Sequence, residues 1–237
     1  IRVGECGHKA GFHGDRPDSP KTAIVAAHRQ CVEPPRVLDY DVASRSGAGM
    51  RYTLDQGWID QARRVPSPNC GPRPVGVAVE LLVIHNISLP PGCFGGDAIE
   101  QLFTNCLDWN AHPFYAEIHG LEVSAHFLIR RCGELVQFVA TGLRAWHAGQ
   151  SCWRGRENCN DFSIGVELEG TDELPYTDAQ YTTLAALTDT LIASYPGLCH
   201  DHIAGHADIA PGRKTDPGRV FDWSRYRASL APAGDAA

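Results

Sequence analysis

Residues 205–218 read GHADIAPGRKTDPG and gather an imidazole (His206), a carboxylate (Asp216) and an ammonium (Lys214) on a stretch that is too irregular for helix or sheet. Two of these groups are potential metal ligands and the third a cation beside them. In an extended segment side chains at i and i+2 point the same way, so Lys214 and Asp216 can face one site. The same residues also fit a surface loop that turns at Pro211-Gly212 and solvates its charges, because His, Asp and Lys are common in loops. A zinc enzyme needs about three protein ligands with a position left for water or substrate. His85, at the exit of an apolar run, offers a third ligand. His112, His126, His147, His200 and His202 compete with it on composition, and no local HExxH pairs any two of them. Spacing leaves the choice open.

Other residues have a plain reading of their own. Glu167 on its own reads as a solvent-facing strand residue alternating with Glu169. Asn86 could donate to a substrate or cap its own turn. Trp146 and His147 could line a cleft, but a core Trp fits equally. His126, beside Phe127, reads as a core histidine.

The elements that must position these groups follow from periodicity. Residues 80–85 (ELLVIH) form a short apolar run, expected of a strand buried on both faces at the centre of a sheet. Asp97 with Glu100 predicts a capping box, opening a helix whose Ile99, Leu102, Phe103, Cys106 and Leu107 share one face. Residues 110–120 read as a loop, and 124–130 with 134–139 as a hairpin turning at Cys132-Gly133. In the strand 163–168, Ile164, Val166 and Leu168 lie on one face, with Glu167 and then Glu169 on the other. Thr177 and Gln180 cap the longest helix, buried along Tyr181, Leu184, Leu187, Leu191, Ile192 and Tyr195 and ended by Pro196-Gly197. Residues 221–230 predict a short helix. Before the first strand, residues 50–74 carry four prolines and are expected to run as an extended arm over the domain. Strands interleaved with helices indicate an α/β fold with a central mixed β-sheet flanked by helices, in one domain over 50–230.

Composition narrows the partners. A net charge of -7 without a Lys/Arg-rich run suggests neither nucleic acid nor an anionic membrane surface, and no apolar run approaches the roughly 20 residues of a membrane span. A small-molecule partner is expected and no protein partner is implied. The apolar run at 22–27 is too short for a signal segment, which makes cytoplasmic residence the default. Nine cysteines, odd in number and with no CxxC pair, fit reduced thiols better than a disulfide framework. Residues 1–49 lack sustained periodicity and read as a disordered extension, with Met50, the sole methionine, as a candidate natural start and the first 49 residues as upstream translation. Residues 231–237 read as a flexible tail.

The strings VIHNISLPPG (83–92), AHPFYAEI (111–118), VSAHFLIRR (123–131), RAWHAG (144–149), CNDFSIGVELEGTD (159–172), YTDAQY (176–181) and GHADIAPGRKTDPG resemble the zinc N-acetylmuramoyl-L-alanine amidases, in register from about residue 50 to 230. The similarity is greatest to the cytoplasmic, peptidoglycan-recycling members that act on anhydro-muropeptides. The resemblance implies zinc held by His85, His206 and Asp216, Glu167 as acid/base, and Lys214 beside the scissile carbonyl. It further implies a substrate amide joining anhydro-N-acetylmuramic acid to the L-alanine of a stem peptide, and an influence on β-lactamase induction where that circuit exists. Asp216, where other branches commonly carry cysteine, marks the recycling branch. Gly212 and the order Phe114-Tyr115 depart from the usual pattern, away from any ligand. A muropeptide-binding protein without catalysis and an exported wall-lytic amidase are the alternatives.

Overall fold

The structure, a computed structural model, describes residues 51–230. The expectations for residues 1–49, the start at Met50 and the tail 231–237 lie outside them. The described chain opens with an antiparallel pair, β1 (Leu54–Asp55) and β2 (Trp58–Ile59), then β3 (Arg63–Arg64) and β4 (Cys70–Pro72). β5 (Leu81–Ile87) leads to α1 (Ala98–Phe103) and α2 (Pro113–Glu117). Next come β6 (Phe127–Ile129), β7 (Leu135–Gln137), β8 (Leu143–Ala145) and the small pair β9 (Cys152–Trp153) and β10 (Arg156–Glu157). β11 (Ser163–Glu169), α3 (Asp178–Ser194), β12 (Ile203–Gly205), α4 (His206–Ile209) and α5 (Trp223–Ser229) complete the described chain.

Six strands form one sheet in the order β12-β5-β11-β6-β7-β3. Its neighbours run parallel except for β6 with β7, so the sheet is mixed, as the sequence led us to expect. The two longest strands, β5 and β11, lie side by side at its middle. Alternation along them separates two apolar layers. Leu82, Ile84, Ile164, Val166 and Leu168 pack with Leu184, Leu187 and Leu191 of α3 and with Tyr226 of α5. On the other face Leu81 and Val83 meet Phe162, Ala148 and Ile209, while Leu128 and Val136 meet α1 and α2. Each fully buried leucine or isoleucine contributes about 1.5–3 kcal/mol. The layer under α3 is thus the fold's main anchor, and the opposite face is left for polar groups at the strand ends.

The capping box at Thr177 forms as expected: its hydroxyl accepts from the Gln180 N–H at 3.1 Å and Gln180 Oε1 accepts from the Thr177 N–H at 3.1 Å. Other expectations change. The α1 capping box does not form, because the Asp97 side chain makes no cap bond and Glu100 is drawn to Arg63 and Arg130. That helix stops at Phe103, where Thr104 caps it and Asn105 turns left-handed at φ 59°. Cys106 is exposed, and Leu107 is buried from the loop beyond the helix. The expected loop at 110–120 contains α2, started by Pro113 in its first turn and by His112, whose Nδ1 accepts the Phe114 N–H at 3.1 Å. The Pro-rich arm does more than cover the domain: β3 is an edge strand of the main sheet and β4 pairs with β8. Finally, β11 is buried along its whole length, so Glu167 and Glu169 do not face solvent.

Candidate metal centre

Strand register assembles the site. In the parallel pair β5/β11, His85 stands opposite Glu167, and in β12/β5 Gly205 stands opposite Ile84, so the next residue, His206, comes abreast of His85. His85 and Glu167 share the sheet face turned away from α3, toward the strands' C-terminal ends, where ligands of open α/β sheets collect. The stretch 205–218 is more regular than its composition suggests, since α4 begins at His206. It then loops back, and the Ala207 N–H donates to the Asp216 carbonyl at 2.9 Å. Tyr176 holds the next residue, its hydroxyl donating to the Pro217 carbonyl at 2.7 Å.

His85 Nδ1 and His206 Nδ1 lie 2.9 Å apart, and each lies 3.0 Å from Asp216 Oδ2. These three atoms are the one group among the described residues in which His, Cys, Asp or Glu converge as metal ligands. Burial holds the His85 pKa down to about 4, against Asp216, which favours the charged form. It is therefore a neutral imidazole at physiological pH. His206 Nε2 lies 3.1 Å from the Ala148 carbonyl, which can only accept, so a proton sits there, and the neutral ring presents its lone pair at Nδ1. Nitrogen lone pairs and a carboxylate crowded together repel unless a cation lies among them. Tetrahedral zinc with ligands at about 2.0–2.1 Å would set neighbouring donor atoms roughly 3.3 Å apart. The donor set therefore fits such an ion.

Glu167, 9% exposed, has its Oε2 buried without a hydrogen-bond partner. Burial pushes its carboxyl well above the ordinary range, the Asp216 charge adds to the shift, and Lys214 opposes it. Lys214 is half-buried, and its charge is felt at both His85 and Glu167. The arrangement therefore joins a cation pocket, a carboxyl able to hold or release a proton, and an ammonium.

The remaining candidates are placed differently. Asn86 donates to Asp172 Oδ1 at 2.8 Å beside the cluster. Trp146 is half-buried, and its indole nitrogen has no hydrogen-bond partner among the described residues. His147 is not an open cleft residue: it is buried behind His85, with Nδ1 2.9 Å from His85 Nε2. His126 is a core histidine, its Nδ1 accepting the Gly165 N–H at 3.0 Å and its Nε2 3.1 Å from the Leu143 carbonyl. His112 caps α2, and His200 and His202 lie in a separate short turn. Tyr176, Ala148 and Ser163 were missed from the sequence. Gly165 was the available signal, because a glycine inside an apolar strand marks close approach by another group.

The structure thus combines a mixed α/β sheet with a His-His-Asp group able to hold a cation at its parallel strand ends, and the comparisons define the class. The family profile described as N-acetylmuramoyl-L-alanine amidase matches residues 75–219, which include all five central site residues, and the chain belongs to that family. Its likeness is to the AmpD branch. The 1,6-anhydro-N-acetylmuramyl-L-alanine amidase AmpD of Salmonella typhimurium (strain SL1344) is 63% identical over 177 residues, 75% of this chain and 94% of that protein. A crystal structure of a Se-Met AmpD derivative matches with 60% identity and a TM-score of 0.74, covering 76% of this chain and 99% of that one. The solution structure of Citrobacter freundii AmpD matches with 59% identity and a TM-score of 0.58, over 77% and 97% of the two chains. The expected family and fold are both borne out.

Proposed function

We propose that the protein is a zinc-dependent amidase that cuts the bond between the lactyl carbonyl of 1,6-anhydro-N-acetylmuramic acid and the L-alanine of the stem peptide, in cytoplasmic peptidoglycan recycling. The observation that carries this reading is the convergence of His85, His206 and Asp216 beside an unpartnered, buried Glu167, in a chain of this family. Among the described residues no helix is long and apolar enough to cross a membrane.

Zinc held by His85, His206 and Asp216 would supply a Lewis acid that polarises the amide carbonyl and acidifies water toward a pKa of about 7. Glu167 takes a proton from the attacking water and returns it to the alanine nitrogen as the C–N bond breaks. Its raised carboxyl pKa suits both directions of that transfer. Lys214 sets its ammonium against the negative charge that develops on the carbonyl oxygen, where a preorganised charge is most effective. Asn86, held by Asp172 and hydrogen-bonded to Tyr176, stands beside the cluster where the substrate would enter. Removing the muramyl peptides in this way would lower inducer levels in bacteria whose β-lactamase responds to them. Retention of the whole ligand set disfavours a muropeptide-binding role without catalysis.

The test is to incubate zinc-loaded and chelator-stripped protein with anhydro-muropeptide and follow free stem peptide by chromatography. Release by the loaded protein alone is expected. No release by the loaded protein would sink the amidase reading, and equal release after verified metal removal would sink the zinc assignment.

A further inference from the structure

We propose that the segment His147-Ala148 is a back plate that sets the tautomers of both histidine ligands, with His147 and Ser163 as positioning residues for His85. This rests on the zinc-site reading given above.

The assignment follows from acceptors that have no choice. Ser163 Oγ lies 2.6 Å from the Cys159 carbonyl, which can only accept, so the hydroxyl hydrogen is committed there. Toward His147 Nε2, 3.1 Å away, Ser163 Oγ must therefore accept, and His147 Nε2 carries a proton. With the proton on Nε2, the neutral His147 ring presents a bare lone pair at Nδ1, whose one hydrogen-bond partner is His85. That lone pair lies 2.9 Å from His85 Nε2, which must donate to it. Neutral His85 is then left with its lone pair on Nδ1, the atom facing His206 and Asp216. The neighbouring Ala148 carbonyl imposes the same tautomer on His206 from 3.1 Å.

Two further observations show that the plate is built rather than incidental. Asn160 Oδ1 accepts from the His147 N–H at 3.0 Å and from the Ala148 N–H at 2.8 Å, clamping both residues from one side chain. A Cβ placed on Gly165 would lie 2.5 Å from His147 Cγ, so the ring can lie against β11 only because that residue has no side chain. Partners of this kind, behind a ligand, typically alter metal affinity about 10–100-fold.

The test measures zinc affinity by chelator competition, with the cobalt(II) absorption spectrum as a second readout, in wild type, His147→Leu, His147→Asn and Ser163→Ala. Leucine keeps bulk but offers no acceptor, whereas asparagine places an amide oxygen where Nδ1 stood. His147→Leu is expected to weaken zinc binding about 10–100-fold with an altered cobalt spectrum, and His147→Asn to recover most of both. Unchanged affinity in His147→Leu, or equal losses in the leucine and asparagine variants, would overturn the proposal. Should His147→Leu not fold by circular dichroism, Ser163→Ala decides: it removes one oxygen, a several-fold loss is expected, and wild-type affinity would overturn the relay. If wild type itself bound no zinc, the proposed function would fall with this inference, whereas a tight wild type with an equally tight leucine variant sinks this inference alone.

Discussion

On β11, Glu169 and Glu167 project from the same face two residues apart, at 2% and 9% exposure, yet their surroundings differ in kind. Glu169 is fully provided for. Its Oε1 accepts from Arg130 Nη1 at 3.1 Å and from the Gly95 N–H at 2.7 Å, and its Oε2 accepts from the Arg131 N–H at 3.0 Å. Arg130 continues to Glu100 at 2.5 Å, and Arg63 joins Glu100 to Glu134, so charges alternate through the network. Glu167 has an oxygen with no partner, a like charge in Asp216 nearby and only Lys214 opposing it. Burial is common to both glutamates, so burial does not decide what a carboxylate does. A saturated carboxylate is fixed as structure, and an unsaturated one is free to exchange a proton.

The sharpest way to break this comparison is to neutralise each glutamate. Glu167→Gln should lower kcat on anhydro-muropeptide by about 10²–10⁴-fold while zinc content, measured by metal analysis, stays at the wild-type level. Glu169→Gln should leave kcat near wild type at temperatures where it remains folded, and an equal loss of kcat there would mean that the two carboxylates do not divide the work. The next largest effect belongs to the network. Arg130→Ala takes the guanidinium from buried Glu169 and leaves Glu100 with Arg63 alone, and should destabilise the fold by about 3–5 kcal/mol in denaturant titrations, with kcat little changed where folded. A cost below about 1 kcal/mol would show that Glu169 is held by the backbone N–H groups instead.

The same contrast shows what the sequence could and could not reveal. The central strand through His85, the alternation along 163–168 and the Thr177 cap were legible because each is a local pattern of residue types, and the chain obeys it. The ligand set was legible only through resemblance, since His85, His206 and Asp216 are brought together by parallel register between strands far apart in sequence. Glu167 and Glu169 read as solvent-facing because alternation gives the face of a strand but not what covers it. The α1 cap failed for a similar reason: Glu100 had a better partner in Arg63, 37 residues away, than in its own helix terminus. His147 is a case of the same kind. Its residue type suggested chemistry, but only Gly165 hinted that it would lie behind the site rather than in front of it.

The smallest expected effect carries a sign, which makes it a stringent check on the comparison. Arg63, followed by Arg130, holds the Glu100 carboxyl below its ordinary range, with burial opposing them. Its folded pKa is thus below the unfolded value of about 4.3, so the stability it contributes is present above that value and lost as pH falls through the folded pKa. Glu167 is displaced the other way, so its contribution is present below about 4.3 and is lost as pH rises toward the folded pKa. In thermal melts of chelator-stripped protein, Glu167→Gln should match wild type near pH 4.3 and gain on it toward neutrality. The gain should grow continuously with pH up to the folded pKa and appear as a rising difference in Tm. Glu100→Gln should instead fall behind wild type above pH ~4.3 and converge with it in acid. A Glu167→Gln advantage that did not grow with pH would mean that Lys214 already neutralises the carboxylate in the resting protein, and the proton carrier would then enter the reaction ionised.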